Sequence, residues 1–213
     1  MIKSITSIGR IGLINSVEGM PYIIDSVSDA VKLFADANTM VINLMCNQNT
    51  DVGDSHTTAI DNGLTLKGKD FLQRCANYGI PVFDVSHASP KTAMDMIKFI
   101  GSNRRVIASH TGARVGRAID NSRNITDDVA RGIFERGGIV GSVVIAGMLG
   151  GNTLDHVVQA IEYFLHLDPT GGKLITLGLD FNGTTKGSEI QNASTILQMQ
   201  NIADALSWTG YSH

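Results

Sequence analysis

The chain has 213 residues, of which 43% are hydrophobic and 17% are charged, and its formal net charge is -3. That size and composition indicate a single soluble domain over residues 1–213 with a full hydrophobic core. The weak, mixed charge excludes the strongly basic classes of protein, so we expect neither nucleic acid nor a membrane surface as a partner.

The cellular setting is predicted from the cysteines and the N-terminus. Cys46 and Cys75 are too few for a disulfide framework, and their spacing matches no metal-binding motif. Residues 1–16 lack the long apolar run of a signal peptide, and no segment reaches membrane-spanning length. The sequence therefore predicts a cytoplasmic protein.

Short apolar strands alternate with amphipathic helices from one end of the chain to the other. Six strands are predicted, at residues 11–16, 39–45, 80–87, 104–110, 139–145 and 174–179. Each is followed by a helical pattern, and the predicted caps or starts are Asp25 or Ser26, Thr65, Ser89 with Pro90, residues 124–127, Thr153 and, for the last helix, a pattern from Ile196. The polar stretch at residues 46–63 has no period, and a loop of that length is typical of a lid or binding loop.

Strict alternation of strands and helices predicts a parallel α/β fold. A complete (β/α) barrel has eight units in about 250 residues, so six units fit this chain and eight do not. The pattern therefore indicates either an incomplete barrel of the TIM type, with six of eight units, or an open sheet of the same handedness.

Polar residues occur at the ends of four of these strands. They are Glu18, His87, His110 and Asp180. Because parallel strands present their carboxyl ends at one edge, these side chains are expected to converge there. Two imidazoles and a carboxylate form a zinc site with a fourth position open for water, and Asp180 is placed to transfer a proton. The alternative is that each residue is an ordinary helix cap, turn former or hydrogen-bonded structural group.

Other polar residues carry weaker signals. An arginine in the turn after His110 is suited to hold a substrate carboxylate, and the turn offers Arg114, Arg117 and Arg123. Cys46 is interpreted as a small apolar neighbour or a reactive thiol. His56 lies in the long loop without a spacing argument. A Schiff-base aldolase is excluded, because none of the strands ends in lysine.

The chain contains, in this order, the segments NSVEGM, NGLTLKGKDFL, FDVSHAS, IASHTGAR, SRNITDDV and LGLDFNG. Their sequences and spacing resemble the membrane (renal) dipeptidase family of zinc-dependent barrel hydrolases, over nearly the whole chain. The resemblance implies hydrolysis of small dipeptides at a centre of two zinc ions. It implies that Glu18 bridges the ions, that His87 and His110 are ligands of one of them, that Arg123 binds the terminal carboxylate and that Asp180 handles the proton at the scissile amide.

The chain departs from the family pattern at three places. The His-x-Asp pair that ligates the second metal is absent before Glu18, Cys46 occupies the region of a substrate-contacting histidine, and Met20 replaces a glycine. One zinc site is thus complete and the second lacks ligands, as expected of a fragment, a split subunit or a catalytically impaired paralogue. The first and last strands then have unpaired edges, so we expect a homo-oligomer or a partner chain that completes the barrel.

Overall fold

The structure is a computed structural model that describes residues 12–19, 27–114, 121–181, 183 and 187–208. The predicted cap at Asp25 or Ser26 lies outside the described residues, as do Met20 and Arg117. The strands are β1 (Asn15–Val17), β2 (Thr39–Asn43), β3 (Val82–Asp84), β4 (Arg105–Thr111), β5 (Val140–Val143) and β6 (Ile175–Gly178).

The helices follow the strands, as the sequence pattern predicted. They are α1 (Val27–Asp36), α2 (Leu66–Asn77), α3 (Pro90–Phe99), α4 (Asp127–Glu135), α5 (Ala146–Leu149), α6 (Leu154–Leu167) and α7 (Met199–Trp208), with a 3₁₀ helix at Ile196–Gln198. In the described ranges, none of these helices combines the length and the apolar character that a membrane crossing requires.

All six strands are parallel, and their order in the sheet is the order of the sequence. A sheet without a change in strand order is wound in one direction, as in a (β/α) barrel, whereas a doubly wound sheet has a switch point. The prediction of an incomplete barrel is therefore confirmed. Within the described part of the chain β1 pairs only with β2 and β6 only with β5, so the sheet is not closed.

Three helix starts are held by side-chain caps, of which Thr65 and Ser89 were predicted, whereas Thr126 lies within the predicted start at residues 124–127. The side chains of Thr65, Ser89 and Thr126 accept hydrogen bonds from the backbone N–H three residues later. Thr153 also precedes its helix, but its hydroxyl pairs with His156 Nδ1 at 2.7 Å. Because these caps fix where each helix begins, they also fix the length of each turn at the carboxyl end of the preceding strand.

The main core lies between the sheet and the outer helices. Val31, Leu72, Met96, Ile133 and Phe164 each come from a different helix and pack with Ile42, Phe83, Val106 and Val140 of the strands. On the inner side, the curved sheet borders a cavity of about 190 Å³, lined by both polar and apolar residues of β1 to β4 and their carboxyl ends. Glu18 is one of the residues that line it.

The C-terminal half differs from the prediction in two ways. The fifth strand ends at Val143 rather than residue 145, and the chain then forms α5, which was not predicted and ends at Gly150 with φ +76°. The sheet also curves sharply here. A Cβ on Gly178 would lie 2.5 Å from the Ser109 carbonyl oxygen and 2.6 Å from the His110 Cα, so only glycine allows β6 to approach β4 this closely.

Candidate metal centre

Glu18 directly follows β1 and lines the inner cavity together with Ser16 and Val17. Gly19 comes next with φ +77°, a conformation that suits glycine. On β2, the Asn43 side-chain amide donates to Glu18 Oε2 at 3.5 Å, and its own oxygen accepts from the Met45 N–H at 3.0 Å. The Glu18 carboxylate is thereby directed at the carboxyl end of the sheet.

His87 reaches the same point from a turn and not from a strand. It lies three residues beyond β3 with φ +67°, which corrects the prediction that it ends a strand. Its Nδ1 donates to Asn47 Oδ1 at 2.9 Å. This bond fixes the ring and leaves the Nε2 lone pair facing Glu18.

His110 is the sixth residue of β4, close to its predicted position. Ile107 and Ser109 line the inner cavity, so regular alternation would turn His110 away from it. However, the pairing of β4 with β5 shifts between Ala108 and Thr111, and such irregularities re-aim side chains. His110 Nδ1 pairs with Ser109 Oγ at 2.7 Å, which directs Nε2 to the centre. The predicted convergence is present, but it depends on a turn and an irregular strand rather than on simple alternation.

The three side chains meet within hydrogen-bond range. His87 Nε2 lies 3.3 Å from Glu18 Oε1 and 3.0 Å from His110 Nε2, and His110 Nε2 lies 3.6 Å from Glu18 Oε2. With each Nδ1 donating outward, the two Nε2 atoms and the carboxylate present lone pairs to one another. Acceptors at these distances repel unless a cation lies between them, so the donor set fits a metal ion.

Both imidazoles are held in the neutral form that binds metals. Burial, followed by the charges of Arg123, His110 and His56, lowers the pKa of His87 to about 2. Burial and then Arg123 also lower the pKa of His110. Neither ring therefore competes for a proton at neutral pH.

Carboxyl groups surround the imidazoles. Burial raises the pKa of Glu18, and the charges of Asp84 and Asp180 raise it further, whereas Arg123 acts in the opposite direction. Three carboxyl groups thus share one guanidinium, which gives the ionised site an excess of negative charge. A divalent cation relieves this repulsion.

Cys46 also belongs to this cluster. Its Sγ, a carboxylate oxygen of Glu18 and a ring nitrogen of His87 all lie within 4.8 Å of one another. It follows β2 by three residues, and its Cβ would lie 3.3 Å from a Cβ on Gly19. The prediction that Cys46 contacts substrate stays a prediction.

Asp180 lies at the edge of the centre. Its Oδ2 is 3.9 Å from His110 Nε2, and its φ of +44° places it in a turn two residues after β6. A Cβ on Gly183 would collide with its carboxylate, so the turn closes tightly around it.

Arg123 contributes the positive charge of the site. Burial lowers its pKa to about 10, although Asp84, Glu18 and Asp180 act to raise it. Among the described residues, its buried Nη1 has no hydrogen-bond partner. An unpaired buried donor is costly, and a ligand carboxylate would satisfy it.

Sequence reasoning missed Asp84 and Asn47, and it assigned no role to His56. Asp84 is 3% exposed and accepts from the N–H groups of Ser86 and Ser109, which ties β3 to β4. Asn47 Oδ1 accepts from His87 and, at 3.0 Å, from His56 Nε2. Burial lowers the pKa of His56 to about 4, and Arg123 adds to the effect. The position of Asp84 inside a strand was the available signal, whereas the loop residues had none.

A parallel sheet of this winding, with imidazole and carboxylate donors gathered at the carboxyl ends of its strands, defines the class of metal-binding α/β-barrel proteins. Within that class the family is shown by the sequence. The family model described as membrane dipeptidase (peptidase family M19) matches residues 1–213, and the chain belongs to this family. The resemblance found in the sequence motifs is thereby confirmed.

Solved structures of similar fold support the same conclusion about architecture. A metallopeptidase from Rhodobacter sphaeroides, liganded with a phosphinate mimic of the dipeptide L-Ala-D-Ala, is 21% identical with a TM-score of 0.84, and the match covers 100% of this chain and 61% of that one. An amidohydrolase from Pseudomonas aeruginosa is 22% identical with a TM-score of 0.82, over 99% of this chain and 70% of that one.

A curated relative is an uncharacterised protein of the PQQ-III 3' region in Acinetobacter calcoaceticus. It is 28% identical over 117 residues, which is 52% of this chain and 36% of the relative. The match thus spans about a third of that relative's length.

Proposed function

We propose that the chain is a zinc-dependent peptidase that hydrolyses dipeptides, with Glu18, His87 and His110 as metal ligands. The observation that carries the proposal is the meeting of the Glu18, His87 and His110 acceptor atoms at 3.0 to 3.6 Å. Membership of the membrane dipeptidase family supports the reaction class.

The ligand set favours zinc over the hard cations. Imidazole nitrogen is a preferred ligand of zinc, whereas magnesium and calcium take oxygen ligands. Bound there, zinc supplies a Lewis acid that lowers the pKa of water toward about 7.

The other site residues supply binding and proton transfer. The unpartnered Nη1 of Arg123 is proposed to bind the terminal carboxylate of the dipeptide, with the planar guanidinium fixing its orientation. Asp180, 3.9 Å from the imidazole of His110, is proposed to accept a proton from the attacking water and return it to the leaving amine.

The loop at residues 46–63 is proposed to cover this site. Asn47 holds the imidazoles of His87 and His56, and His56 Nδ1 accepts from Ser122 Oγ at 3.2 Å. The loop is therefore tied both to a metal ligand and to the turn that carries Arg123. With these hydrogen bonds, the loop would cover both the metal ligands and the substrate site and would exclude water from them.

Hydrolysis of L-Ala-D-Ala by zinc-loaded protein tests the proposal, since a mimic of that dipeptide binds the Rhodobacter sphaeroides metallopeptidase. We expect Asp180→Asn to lower kcat by at least about 100-fold, and Arg123→Lys to raise KM because the bidentate contact is lost. Asp204→Asn, at an exposed position on α7, is the matched control. Zinc-loaded protein that cleaves no dipeptide in a broad panel, or full activity in Asp180→Asn, would contradict the proposal.

A second candidate function is a chain that keeps the fold and binds one metal ion but needs further strand–helix units for turnover. Glu18 directly follows the edge strand β1, and 40% of its side chain is exposed. Zinc binding without hydrolysis, and hydrolysis after addition of a polypeptide carrying two such units, would distinguish this function from the first.

A further inference from the structure

We propose that Cys46 is a ligand of the same metal ion, so that the centre of this chain contains a thiolate. The inference rests on the proposed metal site and deepens it by naming a fourth donor. It replaces the interpretation of Cys46 as a small apolar neighbour or a substrate contact.

The position of the thiol carries the proposal. Cys46 Sγ lies within 4.8 Å of donor atoms of both Glu18 and His87, so the three atoms surround a single point. His110 Nε2 lies 3.0 Å from His87 Nε2, so the second imidazole adjoins this group through His87. The ligand atoms of one tetrahedral zinc ion lie within this spacing of one another.

The neighbours of Cys46 hold it at the centre. Asn47, the next residue, accepts a hydrogen bond from His87 Nδ1 at its side-chain oxygen, which ties the chain at this place to a proposed metal ligand. Gly19, next to Glu18, packs against the Cys46 Cβ, and a larger residue at position 19 would press on it. Cys46 is partly exposed and open to a metal ion, whereas Cys75 is buried in the core.

The chemistry of binding is a simple exchange. The Cys46 S–H bond breaks, its proton passes to solvent, and the sulfur lone pair forms the bond to the cation, with no change of oxidation state. A thiolate is a soft ligand, so it favours zinc, cobalt and cadmium over manganese and magnesium.

A fourth protein ligand has a consequence for turnover. Three protein ligands leave a position open on a tetrahedral zinc ion, whereas four close it. A Cys46 thiolate in the fourth position would therefore have to leave the metal before water could bind there.

Cobalt substitution tests the inference directly, because a thiolate bound to Co²⁺ gives a near-ultraviolet sulfur-to-metal charge-transfer band. We expect the band in Co²⁺-loaded protein and in Cys75→Ala, and its loss in Cys46→Ser. We also expect Cys46→Ser to bind Co²⁺ at least about tenfold more weakly, since even loss of a residue that merely orients a ligand costs roughly 10- to 100-fold. Circular dichroism of each variant verifies folding before loading.

The outcomes separate this inference from the proposed function. If Co²⁺ binds without the band, or if the band persists in Cys46→Ser, the proposal that Cys46 is a ligand is wrong. Neither result contradicts the metal site formed by Glu18, His87 and His110. Failure of the folded protein to bind either Co²⁺ or Zn²⁺ overturns both.

Discussion

Asn47 shows how one loop residue can set the chemistry of a metal site. Its side-chain oxygen lies 2.9 Å from His87 Nδ1 and 3.0 Å from His56 Nε2, so it fixes the tautomer of both rings. With Nδ1 of His87 donating, Nε2 is the atom left to bind a cation. Residues in this position commonly control metal affinity without touching the metal.

Replacing Asn47 with alanine should therefore weaken zinc binding while the fold is kept. We expect about a 10- to 100-fold loss of affinity, because His87 then samples other orientations and its second tautomer. Competition with a chelating dye measures the loss. Asn103→Ala, in an exposed turn before β4, is the control and should bind zinc as tightly as the parent protein.

The histidines also predict how stability depends on pH in the chelator-treated protein. The pKa is lowered to about 4 for His56 and to about 2 for His87, whereas the unfolded chain has the ordinary value near 6.5. The unfolded state therefore binds more protons below about pH 6.5, and the free energy of unfolding falls as the pH falls through that window. The raised pKa of Glu18 has the opposite effect on stability. Because this is one carboxyl group against several imidazoles, we expect the histidines to determine the sign of the dependence.

Urea unfolding at about pH 7, 6 and 5 measures this dependence. The change of the free energy of unfolding with pH should be smaller in His56→Gln, because glutamine keeps a donor for Asn47 but does not titrate. His166→Gln, at an exposed position of α6, should leave the slope unchanged. Equal stability of the parent protein across the range would contradict the prediction.

Part of the site was predictable from single residues. Glu18 was expected at the carboxyl end of the first strand, and it directly follows β1. His87 and His110 were expected at the carboxyl ends of their strands, and both lie at that end of the sheet. The local features that direct their rings to the centre were not predicted. The turn at His87 and the shifted register near His110 come from pairing between strands, which no local pattern contains.

At the scale of elements, the two glycines of β5 and β6 shape the sheet beside His110. Gly141 and Gly178 both lie against the backbone of β4 at Ser109, and the rigid backbone there has no room to move aside. A side chain at either position would separate β4 from β6. The orientation of His110 therefore depends on residues in the two strands that follow it.

Gly178→Ala should destabilise the protein by about 1–3 kcal/mol, the range for overpacked interiors, and should weaken zinc binding because His110 is displaced. Chemical denaturation and zinc titration give the two values. Gly147→Ala is the matched control, since a Cβ there meets no atom within 4 Å, and it should be neutral or slightly stabilising. Wild-type stability in Gly178→Ala would contradict the close approach of the strands.

Helices were more predictable than strands in this chain. Caps such as Thr65, Ser89 and Thr126 act within one turn, so their sequence signal is local and the helix starts were found. The ends of the strands depend on partners far away in sequence, and the predicted strands were too long except for the fourth, which has the predicted length. The short helix α5 was missed because four apolar residues carry no helical period.

At the scale of the whole molecule, the open sheet is the main departure from a complete barrel. The edges β1 and β6 are unpaired in the described structure, and Leu13 and Ile14 at the first edge are 94% and 54% exposed. An unpaired edge with exposed apolar side chains promotes association. Two further strand–helix units, from a second copy or from another polypeptide, would pair with these edges and cover the apolar side chains.

We therefore expect the purified chain to associate, either with copies of itself or with a partner that completes the barrel. Size-exclusion chromatography with light scattering measures the mass in solution. Leu13→Lys combined with Ile14→Lys should shift the protein toward the monomer, because charge at an edge strand opposes pairing. Ile60→Lys, also exposed but in the long loop, should not. A stable monomer at all concentrations would contradict the prediction.

Calorimetric titration of chelator-treated protein with zinc tests the central claim most directly. If Glu18, His87 and His110 share one cation, each chain binds one zinc ion, and His87→Ala and His110→Ala each lower the affinity by at least about 100-fold while His166→Ala does not. Absence of zinc binding in folded protein, or undiminished affinity in both ligand variants, would contradict the account.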